Sequence, residues 1–270
     1  MTSAWSDLDR PPLSQSRLHA AIRDDSLWRE VRLLTRTEST NAVVADAARA
    51  GEPEGLAVVA EEQASGRGRL DRRWESPPRS GVLMSVLLRP RTPAATWPLL
   101  PLLTGLAGVE ALRSVAGVTA VLKWPNDLMV EDRKLGGILL ERVGDTAVVI
   151  GVGINVSTRR DELPVETATS LALEQAGTDR EPLVKELLRA VSRRYAAFQA
   201  AGGAPESVLP AYREVCETIG RHVVVHLDGR PPHSGLAVDV DEGGRLVVRA
   251  DDGSESAWSA GDVVHVRAEG

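Results

Sequence analysis

Four short runs hold the residue types and spacings that suit chemistry. In the first, Gly66-Arg67-Gly68-Arg69-Leu70-Asp71-Arg72-Arg73-Trp74, four arginines and one aspartate carry a net +3 within a chain of net charge −6. Glycine lets a backbone approach a ligand closely, and arginine forks match phosphate oxygens in pairs. Trp74 could stack on a base or shield a ligand from water. The same composition also describes a solvated basic loop, because charge runs usually face water. The second run, Lys123-Trp124-Pro125-Asn126-Asp127, sets a point charge for phosphate beside a carboxylate able to hold a divalent cation. Its plain alternative is a strand turn with a core Trp. In the third, Lys134 precedes Gly136-Gly137-Ile138-Leu139, so a lysine can project over bare backbone, or simply flank a hairpin. In the fourth, Gly151-Val152-Gly153-Ile154-Asn155, alternating glycines strip one face of a strand, for a ligand or for another backbone.

These runs need a frame. Ser39-Thr40-Asn41 precedes an alanine-rich run closed by Gly51, the signature of a capped helix over residues 42–50. Residues 56–60 and 82–88 read as buried strands, and 99–115 as a buried helix with a proline-rich start. Residues 121–154 read as a meander of strands. Residues 14–27 and 182–198 carry apolar positions at helical spacing, the second with Pro182 as its first helical residue. Residues 208–216 read as a short helix. Beyond residue 219, five short β-rich runs alternate with tight turns, which predicts a small barrel.

Composition narrows the field further. One cysteine, Cys216, excludes an intrachain disulfide and a Cys-based zinc site, and reads as a buried structural thiol suited to a reducing compartment. His222 and His226, four apart on an edge-like strand, read as a weak metal pair. The longest uncharged stretch, residues 92–109, holds Pro93, Pro98 and Pro101 and predicts no membrane-spanning helix. The start carries no secretory signal. The net negative charge argues against a surface that grips nucleic acid throughout, so an anion site must be local. Neither a Gly-x4-Gly-Lys-Ser/Thr loop nor a Gly-x-Gly-x-x-Gly fingerprint is present, so a nucleotide would bind by another design.

Taken in order, Ser39-Thr40-Asn41, Gln63 with Gly66-Arg67-Gly68-Arg69 through Trp74, Lys123-Trp124-Pro125-Asn126-Asp127, Lys134 with Gly136-Gly137-Ile138-Leu139, and Gly153 with Asn155 resemble the biotin protein ligases across residues 35–160. The C-terminal run with Trp258 and Gly261-Asp262-Val263 resembles that family's small SH3-like domain. Asp71 departs from the pattern, where the family often has glycine.

The resemblance implies an α+β fold, a mixed sheet with flanking helices like that of class II synthetases and biotin/lipoate ligases, plus a C-terminal SH3-like barrel. It implies a division into an N-terminal segment (1–35), a catalytic domain (36–218) and the barrel (219–270). The expected activity is ATP-dependent conversion of biotin to biotinyl-5′-AMP, then transfer to a specific lysine of the biotin carrier domain of an acyl-CoA carboxylase. Lys134, Arg69, Asp127 and Lys123 are the expected catalytic residues. Ser39, Thr40, Asn41, Gln63, Gly66, Arg67, Gly68, Arg69, Lys134 and Gly137 would bind biotin. Arg69, Arg72, Trp74, Lys123, Asn126 and Asn155 would bind the nucleotide, Trp74 on the adenine side, and Asp127 would hold Mg²⁺. The loop 66–74 is expected to order on ligand. The short N-terminal segment implies a monofunctional, cytoplasmic enzyme, monomer or homodimer, with no specific DNA binding and no membrane association. Lipoate ligase or octanoyl transferase is the nearest alternative, and a DNA-binding biotin sensor the alternative from another class.

Overall fold

The computed structural model describes residues 10–69, 72–227, 231–259 and 262–265, so Asp71 and Gly261 lie outside the described residues. In chain order the main elements are α1 (Gln15–Ala21), β1 (Glu30–Leu34), α2 (Thr40–Arg49), β2 (Leu56–Ala60), β3 (Gly66–Arg67), β4 (Arg73–Trp74) and β5 (Gly81–Leu88). Then come α3 (Leu99–Ala111), β6 (Val121–Lys123), β7 (Asp127–Val130), β8 (Arg133–Val143), β9 (Ala147–Asn155), α4 (Arg180–Ala200) and α5 (Leu209–Val215). The chain ends in β10 (His222–His226), β11 (His233–Val240), β12 (Leu246–Arg249), β13 (Glu255–Trp258) and β14 (Asp262–His265).

Seven strands form one sheet in the order β1-β2-β5-β9-β8-β7-β6. Only β1 and β2 run parallel, and the expected meander is the antiparallel series β6 to β9. Every residue of β2 and β5 is buried, as sequences apolar but for Ser85 require. The largely apolar α3 and the long α4 build the main core with Val86, Leu88, Ile150 and Val152. α3 continues as a π turn to Ala116, so its apolar run would suit a membrane span by length and composition, but it lies inside the core. Pro98 caps it and Pro101 sits in its first turn, where a missing N–H costs no helical bond. On the other face, α2 buries Val44, Ala45 and Ala48 over Leu56, Val58, Leu87 and Val149. Ser39 caps α2 through Ala42 N, one residue before Thr40 and Asn41 enter the helix. Side chains alternate along a strand, so the β9 face that starts with Val149 under α2 continues as Gly151 and Gly153. There the sheet is uncovered by side chains of its own.

Several boundaries differ from the sequence reading. α1 stops at Ala21, short of residue 27, because Asp25 Oδ1 accepts from Leu27 N and Trp28 N and turns the chain out of the helix. β1 escaped notice, since its alternation of Glu30 and Arg32 with Val31 and Leu33 spans only five residues. α4 begins at Arg180, capped by Asp179, with Pro182 at its third position. Residues 66–74 are a hairpin at their base, with β3 paired to β4.

Five strands in the order β13-β12-β11-β10-β14 form the expected antiparallel C-terminal sheet. β10 lies between two neighbours, so His222 and His226 are on an interior strand. Trp124 ties this sheet to the larger one: its Nε1 donates to Gly244 O at 3.0 Å and its backbone N to Thr218 Oγ1 at 3.0 Å.

The N-terminal strap is pinned by a buried ion pair. Arg180 donates to Glu61 Oε2 at 2.6 Å and to Pro11 O at 2.6 Å, while Leu13 N donates to Glu61 Oε1 at 2.6 Å. Removing one partner of such a pair leaves an uncompensated charge. Arg180→Met is therefore expected to cost about 3 kcal/mol or more of folding stability. Urea unfolding would read this as a lower midpoint, and an unchanged midpoint would show that the pair does not hold the strap.

Candidate functional site

The bare strip on the sheet is filled from two sides. A Cβ at Gly151 would lie 2.3 Å from Asn41 Oδ1, and one at Gly153 would lie 2.6 Å from the Trp74 ring. Gly137, paired with Gly153 across β8 and β9, would bring a Cβ to 3.5 Å from both the Trp74 ring and Lys134 Nζ. Gly151 and Gly153 thus accept an amide and an indole where any larger residue would exclude them, while Gly137 leaves ordinary contact distances. Trp74 lies on this floor itself, and its Nε1 is buried with no acceptor among the described residues. Gly66 faces away from the hollow, its backbone paired with Trp74.

The N-terminus of α2 supplies a polar wall. Gln63 Oε1 accepts from Thr40 N at 2.7 Å and from Thr40 Oγ1 at 2.9 Å. Its Nε2 is thereby the end left to donate elsewhere. Ser85, the one polar residue of β5, places its Oγ 2.7 Å from Thr40 Oγ1 and 2.6 Å from Asn41 Oδ1. Asn41 Nδ2 donates to Glu141 Oε2 at 2.6 Å. Sequence reasoning missed Ser85 and Glu141. A lone hydroxyl in an apolar strand and a carboxylate following Gly137 and Leu139 on the same strand face were the available signals.

Cations line the rest of the hollow. Lys134 Nζ lies 2.7 Å from Asp127 Oδ1, joining adjacent strands β7 and β8. The backbone of Lys134 donates to Thr167 O and accepts from Thr169 N, which holds that segment against β8. Arg69 Nη1 donates to Asn126 Oδ1 at 3.2 Å, and Asn126 Nδ2 donates to Ile138 O. Arg67 stands 3.6 Å from Glu141 Oε1. Asn155 is buried and donates to Thr169 O, so its amide supports the same segment as Lys134. One cavity of about 1390 Å³ is lined by Ser39, Thr40, Asn41, Gln63, Arg67, Gly68, Arg69, Arg72, Trp74, Lys123, Asn126, Asp127, Lys134, Gly137 and Asn155. Every sequence-derived site residue except Gly66 is thus brought to one hollow. It has room for a ligand of two parts, one apolar and one anionic.

Comparisons with known proteins give the family. A family model described as the biotin/lipoate A/B protein ligase family matches residues 33–155, and one described as the biotin protein ligase C terminal domain matches residues 218–266. The biotin–[acetyl-CoA-carboxylase] ligase of Mycobacterium tuberculosis is 38% identical over 264 residues, 96% of this chain and 97% of that one. The chain belongs to the biotin protein ligases. The bifunctional ligase/repressor BirA of Escherichia coli is 34% identical over 86% of this chain and 73% of its own. Among solved structures, the biotin protein ligase of Aquifex aeolicus in complex with biotin and ATP matches with a TM-score of 0.74 and 27% identity, over 89% of this chain and all of that one.

In this biotin protein ligase family member the C-terminal sheet reaches the cavity rim through Arg221, His222 and His265. Asp132, Glu217 and His265 are, among the described residues, the one group of three such side chains close enough to share a cation. Arg221 already bridges both carboxylates, at 2.7 Å to Asp132 and 3.1 Å to Glu217, so a cation there would compete with a bound guanidinium. Cys216 is buried beneath this junction and burial pushes its thiol up, which leaves it unsuited to attack. Burial and the nearby Lys123 and Arg221 hold the His265 imidazole down to about 4, so it is neutral at pH 7 and Thr218 bonds its Nε2.

A histidine held down in the folded state binds its proton less readily than in the unfolded chain. Folding stability is expected to be full above pH 6.5 and to fall as pH drops toward 4. Urea midpoints at pH 7 and pH 5 would show the loss, and His265→Gln should flatten it. An equal loss in the variant would assign the effect to other groups.

Proposed function

We propose that this chain joins biotin to ATP, giving biotinyl-5′-AMP and pyrophosphate, and passes the biotinyl group to one lysine of a biotin carrier domain of an acyl-CoA carboxylase. The observation that carries this reading is one glycine-floored hollow lined by the uncharged polar Thr40, Asn41 and Gln63 together with Lys134, Asp127, Arg67 and Arg69. The match of residues 218–266 to a biotin protein ligase C-terminal model supports biotin over lipoate or octanoate. The near full-length likeness to a biotin–[acetyl-CoA-carboxylase] ligase supports the carrier. The reaction suits the cytoplasm, and we expect no sequence-specific DNA binding.

Biotin is an apolar bicycle with a ureido group at one end and a carboxylate at the other. We assign its ureido end to the wall of Ser39, Thr40, Asn41 and Gln63, and its rings to the floor at Gly137 beside Trp74. The carboxylate then points toward Lys134. In the first step a carboxylate oxygen attacks the α-phosphorus, the bond to the bridging oxygen breaks, and pyrophosphate leaves. Two anions must meet, so cations fixed before the reaction lower the barrier most. Lys134 would touch both the carboxylate and the α-phosphate, held in place by Asp127. Arg67, Gly68 and Arg69 would close over the adenylate, and Arg72 and Lys123 would face the departing phosphates. Asn126 and Asn155 would steady the nucleotide side. In the second step the carrier's lysine amine attacks the acyl carbon, AMP leaves, and Asp127 would take the proton.

Mg²⁺ fits this donor set. A magnesium ion bound with phosphates needs only one or two protein carboxylates. Asp127 offers one at the cavity wall, with Oδ1 directed at Lys134. When bound there, the ion would neutralise phosphate charge.

Biotin-dependent exchange of labelled pyrophosphate into ATP tests the reading, with lipoate and octanoate in parallel. Exchange is expected with biotin alone. Lys134→Ala is expected to lower its rate by about 10²–10³-fold, the usual loss for one fixed charge-stabilising donor. No exchange by the folded wild-type chain with any acid would overturn the reading.

A further inference from the structure

Glu141 does not line the hollow, yet it touches two residues that do. It sits on β8 on the same face as Gly137 and Leu139, opposite Val149 on β9. Oε2 accepts from Asn41 Nδ2 at 2.6 Å, and Oε1 stands 3.6 Å from the Arg67 guanidinium. An ionised carboxylate can only accept hydrogen bonds, so Asn41 must present its NH₂ to Glu141 and its Oδ1 to Ser85. Asn41 is 4% exposed and its oxygen is seated on Gly151, so a wrong orientation would leave buried polar atoms facing like partners. The orientation propagates. Ser85 has one proton and two acceptors in reach, Asn41 Oδ1 and Thr40 Oγ1, and Thr40 in turn faces Gln63 Oε1. If Asn41 were flipped, its NH₂ would donate to Ser85, whose proton would then go to Thr40, and the lone pairs left facing the hollow would change. The contact to Arg67 has a different character. Arg67 is largely exposed, and a pair screened by water is worth little.

We infer that Glu141 is a positioning residue that fixes the Asn41 amide and, through Ser85, the direction of the hydroxyl bonds at Thr40, while the Thr40 backbone N–H orients Gln63 independently. The inference rests on the reading of the Thr40–Gln63 wall as the ureido site. A ureido group offers two N–H donors and one oxygen acceptor, so a wall of fixed polarity distinguishes it from an apolar acid of similar length. The side chain that sets the polarity lies one shell behind the ligand and never meets it.

Pyrophosphate exchange measured against biotin and against ATP separates this role from a general structural one. Glu141→Ala frees Asn41 and is expected to raise the KM for biotin about tenfold or more, the factor for one misdirected buried hydrogen bond. The KM for ATP and the rate at saturating biotin should stay close to wild type. Glu141→Gln keeps an acceptor for Asn41 Nδ2 while losing the charge that faces Arg67, and should restore the biotin KM. Asn41→Asp should share the biotin defect, and Asn41→Asp combined with Glu141→Gln, which exchanges donor and acceptor, should recover most of it. Thermal melts confirm that each variant folds, and the double variant carries the test if Glu141→Ala does not. A biotin KM within about twofold of wild type in Glu141→Ala would overturn the inference. So would a Glu141→Gln variant as impaired as Glu141→Ala, which would assign the effect to charge on Arg67. A wild-type chain without biotin-dependent exchange would overturn the ureido reading itself, a result that no Glu141 variant can mimic.

Discussion

On β8 and β9, Gly137, Gly151 and Gly153 leave one face of the sheet without side chains, and the space is taken by Asn41 and Trp74. The rest of the site depends on that exchange. α2 can bring its first turn down to the sheet only because Gly151 has no Cβ, and this turn carries Thr40 and Asn41. The hairpin of β3 and β4 can lay its indole on the sheet only because Gly153 has none. Loss of either glycine would move a wall of the hollow while the core on the other face stayed intact. The cost of such open strands is met by the fully buried β2 and β5 and by α3 and α4 packed behind them.

Charge is distributed with the same economy. The chain is net negative, yet its cations gather where two anionic substrates would meet. Lys134 is held on both sides, by Asp127 at its head and by the segment at Thr167 to Thr169 at its backbone. Trp124 explains why a large apolar ring sits between Lys123 and Asn126. Its indole is buried and bonded to the C-terminal sheet, so the strand end that presents Lys123 and Asp127 is set by the docking of the two sheets. The plain reading of that tryptophan as a core residue holds, and its neighbours Lys123, Asn126 and Asp127 line the hollow beside it.

Most of the architecture was legible because apolar strands, capped helices and tight turns are local signals. The cap at Ser39, the buried β2 and β5, and the meander from β6 to β9 follow from runs of a few residues. β1 carries the polar–apolar alternation of a half-buried strand, but over only five residues, too short a run to stand out in the sequence. The extent of α1 was not legible, because Asp25 ends it through a side-chain turn that competes with helical bonds. Within the site, residues that announce their chemistry were visible: arginines, lysines and glycines in short motifs. Ser85 and Glu141 were not, since their importance lies in which neighbours the fold brings to them from α2. The purpose of the alternating glycines was half visible. Close approach could be read from the sequence, but the approaching groups, an amide and an indole, could not.

The central claim is that this hollow makes an activated biotin and delivers it to a protein lysine. The most direct measurement is the intact mass of a purified biotin carrier domain after incubation with the chain, biotin, ATP and Mg²⁺. The account expects a gain of one biotinyl group, absent when ATP is withheld and absent when the carrier's acceptor lysine is replaced. An unchanged carrier mass in the complete reaction, with folded enzyme and folded carrier, would contradict it.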